Sequence, residues 1–315
     1  MSTYSTYTLG DATPMTTIVM TGGTSGFGLL TAHRFLETPS TRLLLGARGP
    51  APAGAETIPL DLARLSSVRS FAEGVADRLG TGLIDAVVLN AGVSPPDVDG
   101  RTPDGFETAF AVNHLAHYLL LRLLAPRLAP EAVIVLTTSG THDPAGGTMI
   151  PPPRHANAEL LAHPERDPGQ ETRPRAAAGQ AYSSSKLCNI LTARALALQP
   201  EVTAKNVTVL AYDPGPTPGT GLLRNAPPMA GLAWRASGPL LRRLVRRFNS
   251  KEAVGGNLAA IALGTVRPAA GQYYAAVRRD ELTWTRPSEL ARDDRARDAL
   301  WQDSAVLLGL EADRS

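Results

Sequence analysis

An α/β fold, a doubly wound parallel sheet of about seven strands with helices on both faces, is predicted by three observations. Short apolar runs alternate with helical patterns along most of the 315 residues. A glycine-rich turn joins the first run to the first helical pattern. Polar residues able to do chemistry recur just beyond the ends of the runs. The strand-like runs are 16–20, 42–46, 57–60, 84–90, 132–138, 207–212 and 271–277. Helical patterns fall between them at about 26–37, 66–79, 104–125, 178–199 and 251–264. Runs apolar on both faces belong to strands covered on both sides, and helical crossovers between them impose parallel pairing. Sites on such sheets form at the carboxyl ends of the strands.

Residues 1–15 are polar, rich in Ser, Thr and Tyr, and read as a flexible tail before the first strand. The strand Ile18-Val19-Met20 leads into Thr21-Gly22-Gly23-Thr24-Ser25-Gly26-Phe27-Gly28 and then the amphipathic stretch Leu29–Leu36. A glycine turn between strand and helix lets backbone approach a pyrophosphate, and the helix N-terminus offers N–H groups and positive dipole character. Gly22, Thr24, Ser25, Gly26, Phe27 and Gly28 are therefore candidate dinucleotide contacts; a plain tight turn is the simpler alternative. The second strand, Arg42–Gly46, ends in Ala47-Arg48 with no carboxylate to receive a ribose hydroxyl. Guanidinium suits a 2′-phosphate, so Arg48 favours NADP(H) over NAD(H), unless it is only a solvated loop charge. Asp61-Leu62 follow the third strand, where Asp61 reads most simply as an N-cap for the helix starting near Ser66.

Tyr182-Ser183-Ser184-Ser185-Lys186 places a phenol and an ammonium one turn apart on one helix face. A nearby positive charge favours the ionised phenol. Bringing a phenol from about 10 to about 7 needs roughly 4 kcal/mol, which a desolvated pair can supply and a surface pair cannot. The spacing alone also fits an exposed, inert pair. Two segments interrupt the alternation. Residues 140–178, with Pro151-Pro152-Pro153 and many charges, form a loop-rich insertion and a candidate substrate wall. Residues 214–249 open with six Pro or Gly residues between 214 and 221 and continue into the basic, amphipathic Leu240–Phe248. They read as a lid, as an ordinary half-buried helix, or as a membrane-surface contact. Beyond 287, Leu290, Leu300, Trp301, Val306, Leu307 and Leu308 among charges predict a packed C-terminal helix.

Composition sets further bounds. The chain is 43% hydrophobic with a net charge of +2, ample for one large core and no argument for a nucleic-acid partner. No apolar run reaches the roughly 18 residues of a membrane span, and the first residues lack a signal-peptide core. A single cysteine, Cys188, excludes an internal disulfide framework and suits a reducing cytoplasm. The six histidines lack ligand spacing, so no metal site is expected; His117 and His142 read as structural.

The glycine spacing, T-G-x-x-x-G-x-G at Gly22, Gly26 and Gly28, resembles the short-chain dehydrogenase/reductase superfamily. Asn90-Ala91-Gly92, Asn113, Ser139, Tyr182 with Lys186, and Asp213-Pro214-Gly215 follow in that family's order, over roughly residues 16 to 290. The separation of Ser139 from Tyr182 exceeds that of compact members. The likeness is nearest to light-dependent protochlorophyllide reductases and retinol-dehydrogenase-like enzymes. It is carried by Tyr182-Ser-Ser-Ser-Lys186-Leu187-Cys188-Asn189, by Asn113-His114-Leu115-Ala116-His117, and by Thr220-Gly221-Leu222-Leu223-Arg224 after Pro214-Gly215.

The resemblance implies a single Rossmann-type domain over 16–315 and an NADP(H)-dependent oxidoreductase acting on a carbonyl or alcohol of a small, apolar molecule. Tyr182 would be the general acid/base, with Thr138 as an alternative to Ser139 for holding the substrate oxygen. Lys186 would lower the phenol pKa and hold the nicotinamide ribose, and Asn113 would anchor a water near Lys186. Asp61 and Leu62, Asn90, Ala91 and Gly92, and Pro214, Gly215 and Thr217 would complete the cofactor site. Family habit suggests a homodimer, which the long insertion could block. Reduction of a conjugated C=C bond, as by protochlorophyllide reductases, and a non-catalytic NADP(H) sensor are the competing readings, with sugar epimerases behind them because their glycine turn is spaced differently. Cys188 reads equally as a small buried hydrophobe or a proton donor.

Overall fold

The computed structural model describes residues 15–218 and 248–310. Nearly all of the predicted tail and residues 219–247 of the predicted lid lie outside the described residues. One eight-stranded sheet runs in the order β3-β2-β1-β4-β5-β6-β7-β8. Its strands are β1 Thr16–Thr21, β2 Thr41–Ala47, β3 Glu56–Pro59, β4 Ile84–Leu89, β5 Leu128–Thr137, β6 Thr208–Asp213, β7 Tyr274–Arg278 and β8 Glu281–Trp284. Every pairing is parallel except β7 with β8. The chain winds outward from β1 to β3, then returns to place β4 on the other side of β1. This reversal opens a crevice between the carboxyl ends of β1 and β4, the place where open α/β sheets bind ligands.

The alternation within β1 explains the two layers. Ile18 and Met20 point into one apolar cluster with Phe35, Leu43, Leu45, Val254, Leu258 and Ile261. These come from helices α1 (Gly26–Glu37) and α8 (Lys251–Ala262) as well as the sheet. Val19 points into the opposite cluster, with Phe71, Tyr118, Leu187, Ile190 and Trp301. That face is covered by α2 (Leu65–Leu79), α4 (Ala116–Leu124), α6 (Pro174–Leu196) and α10 (Asp294–Leu307). The short helices α3 (Thr108–Phe110), α5 (Ala158–Ala162), α7 (Pro200–Ala204) and α9 (Glu289–Arg292) complete the set.

Four details depart from the sequence pattern. The eighth strand follows a two-residue turn in which Arg279 and Asp280 both have positive φ, 55° and 69°. Such turns favour Asn-Gly, so the sequence does not advertise this hairpin. β5 begins at Leu128, before a register shift, with Glu131 at φ 59°. α6 starts at Pro174, which shortens the insertion; proline at the first helical turn loses no bond. The segment predicted as one helix over 104–125 is split by a π turn, Ala111–Leu115, centred on Asn113. The predicted C-terminal helix buries Leu300, Trp301 and Leu308 and leaves Val306 exposed. No helix among the described residues is long and apolar enough to cross a membrane.

The glycine turn is closed by backbone proximity. A Cβ on Gly28 would lie 2.1 Å from the Gly22 carbonyl oxygen and 2.4 Å from Asn90 Nδ2, whereas one on Gly256, inside α8, would meet nothing within 4 Å. Gly28→Ala should therefore destabilise by about 1–3 kcal/mol through overpacking, while Gly256→Ala should stabilise by about 0.5–1 kcal/mol through helix propensity. Urea denaturation of both variants measures the contrast; equal effects would show that the turn gives way freely.

Candidate active site at the carboxyl edge of the sheet

The crevice is built by a row of polar ties across β1, β4 and β5. Thr21 Oγ1, at the end of β1, accepts from the backbone N–H groups of Asn90 (3.1 Å) and Ala91 (3.2 Å). Asn90 Nδ2 donates to the Gly22 carbonyl at 2.9 Å, and Asn90 Oδ1 accepts from Thr137 Oγ1 at 3.0 Å. A Cβ on Gly22, whose φ is +72°, would lie 2.5 Å from Ala91 N. Asn90 and Ala91 thus line the crevice by holding its walls together. With Thr21 accepting twice, its own proton goes to His117 Nε2 at 3.1 Å. His117 Nδ1–H is then the donor to the Asn113 carbonyl at 3.2 Å. Burial, helped by the Lys186 ammonium, holds His117 down at about 3, so the ring is neutral and structural.

The other candidate cofactor contacts follow the ends of β1, β2, β3 and β6. Thr24 and Ser25 are exposed at the mouth of the crevice. Ser25 is the N-cap of α1 yet makes no side-chain capping bond, so its own hydroxyl does not occupy the first N–H groups of the helix. Phe27 packs against the α1–α8 layer. Arg48 is exposed just past β2, and among the described residues it has no ion-pair or hydrogen-bond partner. Asp61 accepts from Ala63 N at 3.1 Å and pairs with Arg64 at 3.7 Å, while α2 starts at Leu65 with Arg64 as its N-cap. Asp61 therefore closes the turn before the helix and does not cap it; Leu62 packs half-buried against the core. Beyond β6, Gly215 has φ +61° and its N–H donates to Asp213 Oδ1 at 2.9 Å. Thr217 turns back onto the carbonyls of Pro214 and Gly215, both at 3.2 Å. Asn249, fully buried, ties Pro214 to the end of β7 through Nδ2 bonds to Pro214 O (2.9 Å) and Val277 O (2.8 Å).

Helix α6 brings the phenol and the amine to the same edge. Thr137 O accepts both Lys186 Nζ (3.2 Å) and Asn189 Nδ2 (3.0 Å), and Thr138 Oγ1 donates to the Lys186 carbonyl at 2.7 Å. These bonds pin the helix across the end of β5. Thr138 faces the α6 backbone, whereas Ser139 acts on the Tyr182 phenol by favouring its ionised form. Ser139 Oγ also accepts from Thr141 N at 3.4 Å, and the Ser139 carbonyl accepts from His142 Nδ1 at 2.7 Å. His142 Nε2 in turn accepts from Ser288 N at 3.2 Å, fixing a neutral, structural ring.

Tyr182 and Lys186 are both buried, and Lys186 Nζ lies 5.8 Å from the phenol ring centroid. Burial raises the phenol pKa, opposed by the Ser139 hydrogen bond, and the Asp213 carboxylate raises it further. Burial lowers Lys186 to about 8. Ser139 is thus one influence toward an ionised phenol, while burial presses the Lys186 amine toward neutrality. Gly92 sits against this amine, since a Cβ there would lie 3.1 Å from Lys186 Nζ and 3.2 Å from Asn113 Oδ1.

Asn113 joins the site from below. Its side chain is spent on the Val93 backbone, accepting at 2.8 Å and donating at 2.9 Å, and donates again to Ser185 Oγ at 2.9 Å. Cys188 lies in the apolar core with its thiol pushed up by burial, which suits a small hydrophobe and not a proton donor. No group of three or more His, Cys, Asp or Glu among the described residues is placed to hold a metal.

The site also contains groups the sequence pattern did not single out for a role. Thr21, Thr137, Asn189 and Asn249 form its ties, and the buried Asp213 and Tyr274, with the exposed Arg278, form a polar cluster against the turn at Gly140. Only the strand-end position of Asp213 hinted at the cluster. Its partners arrive from β7, distant in sequence.

A family model described as short chain dehydrogenase matches residues 16–149. A dehydrogenase/reductase SDR family member 13 from Bos taurus is 35% identical over 93% of this chain and 73% of its own length. The chain belongs to the short-chain dehydrogenase/reductase family. It is thereby an oxidoreductase of a family that binds a nicotinamide cofactor. Protochlorophyllide reductase from Chlamydomonas reinhardtii is 29% identical over 94% of this chain and 78% of its own, and human retinol dehydrogenase 12 is 29% identical over 94% and 87%. Both groups named from the sequence strings are thus among the relatives. In structure, an uncharacterized protein from Mycobacterium paratuberculosis superposes with a TM-score of 0.65 at 26% identity, covering 96% of this chain and 97% of that one. NADPH-bound carbonyl reductase from chicken fatty liver shares the fold, with a TM-score of 0.54 at 15% identity over 79% and 87% of the two chains.

The buried ionisable groups give acid sensitivity a direction. His114 and His117 are both held at about 3 by burial, against an ordinary value of 6.5. As pH falls through 6.5 the unfolded chain takes up two protons that the folded chain refuses, so stability falls, by up to ~1.4 kcal/mol per pH unit per group. Glu107, pushed up to about 7 by burial, acts in the opposite sense between 4.5 and 7, because the folded chain keeps a proton the unfolded chain has released. Urea titrations from pH 7 to 4.5 should show that His114→Gln flattens the pH dependence and Glu107→Gln steepens it. Parallel curves for all three proteins would refute this assignment.

Proposed function

We propose that this short-chain dehydrogenase/reductase catalyses NADP(H)-dependent interconversion of a carbonyl and an alcohol, with Tyr182 as general acid/base. The observation that carries the reading is the convergence of Tyr182, Ser139 and Lys186 beside the glycine-walled crevice. The residues present fit a dinucleotide. Gly22 and Gly28 leave no room for side chains, α1 begins without a side-chain cap, and Arg48 is exposed with no partner among the described residues. Gly22 to Gly28 would hold the pyrophosphate, Arg48 the 2′-phosphate, and Lys186 the nicotinamide ribose. A reduced nicotinamide supplies hydride to the carbonyl carbon.

The chain's own residues then handle the proton. Ser139 Oγ donates to the substrate oxygen and steadies its developing negative charge. Tyr182 gives its hydroxyl proton to that oxygen, leaving a phenolate and an alcohol; the reverse reaction returns the proton to Tyr182. Lys186, near pH 8 balanced between its two forms, is suited to return a proton toward Tyr182. Asn113 acts as a brace, holding the Val93 segment and Ser185 behind that lysine. A second reading, reduction of a conjugated C=C bond in a tetrapyrrole, is supported by the 29% identity to protochlorophyllide reductase.

Turnover would be followed by NADPH absorbance with a panel of aldehydes, ketones and retinal, in light and in dark. Carbonyl reduction in the dark is the expected result, and turnover only of a bound pigment under illumination would replace it by the second reading. Tyr182→Phe should leave NADPH binding nearly intact and lower turnover by at least ~100-fold, the scale of general acid–base catalysis. Comparable turnover by that variant would remove Tyr182 from the mechanism. Arg48→Ala should weaken NADPH much more than NADH; equal losses in a titration of both would refute the 2′-phosphate contact.

A further inference from the structure

The two hydroxyls that meet the substrate oxygen come from different elements, Ser139 from the turn after β5 and Tyr182 from α6. Their spacing must be set by something tied to both. His142 is placed to do this. The residue is 2% exposed, and its ring packs edge-on to Tyr274 at 5.4 Å. Its Nδ1 donates to the Ser139 carbonyl at 2.7 Å, and its Nε2 accepts from Ser288 N at 3.2 Å. Ser288 is the N-cap of α9, where its hydroxyl accepts from Ala291 N at 3.3 Å. That short helix is held in turn by α6, since Arg194 Nη1 donates to the Ala291 carbonyl at 3.0 Å. A path of hydrogen bonds thus runs from the Ser139 backbone through the imidazole, Ser288 and Ala291 to the helix that carries Tyr182.

Satisfying the Ser139 carbonyl does not require the ring. That oxygen already accepts from the His142 backbone N–H at 3.2 Å, within the 3-10 turn Gly140–His142. The shorter bond from Nδ1 uses the second lone pair and adds direction to a carbonyl that already has a partner. A carbonyl held from two sides fixes the Ser139–Gly140 peptide plane, and with it the backbone from which the Ser139 hydroxyl projects. The ring can serve both neighbours in one form alone, neutral with its proton on Nδ1, because the Ser139 carbonyl only accepts and the Ser288 N–H only donates. We propose that His142 is a positioning residue for Ser139. Its Nδ1–H fixes the turn that aims the serine hydroxyl, while its Nε2 ties that turn to the C-terminal segment held on α6. This rests on the reading in which Ser139 steadies the oxygen that Tyr182 protonates.

The two ring nitrogens can be tested one at a time. An asparagine amide nitrogen stands where Nδ1 does, and a glutamine amide oxygen reaches where Nε2 does. His142→Asn therefore keeps the donor to Ser139, and His142→Gln keeps the acceptor for Ser288. With NADPH and the carbonyl compound that the wild type reduces fastest, His142→Gln should lower kcat by about 10- to 100-fold, the scale of a misplaced catalytic group. KM and NADPH affinity should stay unchanged, because the lost aim matters in the transition state. His142→Asn should keep kcat within about threefold of wild type. It should nevertheless have the lower urea midpoint of the two, because it strands the buried Ser288 N–H. Activity and stability thus rank the variants in opposite orders. Activity that falls in step with stability, or wild-type kcat in both variants, would overturn the inference while Ser139→Ala is impaired. A fully active Ser139→Ala would overturn the reading of Ser139 on which it rests. A second measurement needs no variant. In protein labelled with nitrogen-15 in its six histidines, the ring showing a nuclear Overhauser contact to Tyr274 should be neutral and protonated on Nδ1 at neutral pH. A ring protonated on Nε2 would overturn the inference.

Discussion

The constraint on which the rest of this structure depends is the mutual approach of three strand ends at the carboxyl edge of the sheet. Parallel strands finish there with unpaired backbone groups, which must be satisfied without water if the edge is to be dry. Thr21, Asn90 and Thr137 do this in series, linking the end of β1 to β4 and β4 to β5. The links draw the backbones so close that Gly22 and Gly28 leave no space for a Cβ. The same geometry makes the crevice a place where another molecule's phosphates can meet bare backbone. Closure of the protein and openness to a dinucleotide thus follow from one set of contacts.

Thr137 extends the constraint to the chemistry. Its hydroxyl completes the row of strand ties, while its carbonyl accepts both Lys186 and Asn189 from α6. The amine therefore stands at the sheet edge, where the Thr137 carbonyl accepts it. Burial then acts on every ionisable group present. It lifts Tyr182 and depresses Lys186, His117 and His142. The two histidines yield by staying neutral in one tautomer each, fixed by their neighbours. Asp213 meets burial differently, with an ion pair and two further donors. The phenol accordingly shares this edge with an amine whose pKa burial lowers to about 8. Ser139 is the neighbour that moves it toward ionisation.

Local patterns with a fixed chain spacing were legible in the sequence. The β1 turn, the α1 limits at 26–37, the Tyr182–Lys186 face and the strand-end positions of Asn90 and Ser139 each depend on residues close in the chain. What could not be read depends on residues far apart or on backbone conformations the side chains do not announce. The partners of Asp213 come from β7, more than sixty positions later. The eighth strand turns through Arg279-Asp280, which lack the usual turn chemistry. The π turn places Asn113 toward Val93 and Ser185, partners that the sequence spacing does not announce.

The insertion between Ser139 and Tyr182 shows how a loop-rich segment can shape a helix. A Cβ on Gly179, one turn before Tyr182, would lie 3.1 Å from Pro151 Cδ and 3.2 Å from Ile150 Cγ2, and Gln180 Nε2 donates to Pro152 O at 3.2 Å. The insertion is itself held together by Asp167, which accepts from Arg154 at 2.9 Å and His155 at 3.0 Å while its carboxyl pKa is drawn down. It is tied to the π-turn helix through Glu107 N and Ala162 O at 2.9 Å. These contacts give the extra turns of α6, from Pro174 onward, something to pack against. A short connection would leave that part of the helix unsupported and its first turn fraying near the phenol. The segment is therefore a brace for α6, and the packing of Ile150 and Pro151 against it places apolar groups one turn from Tyr182.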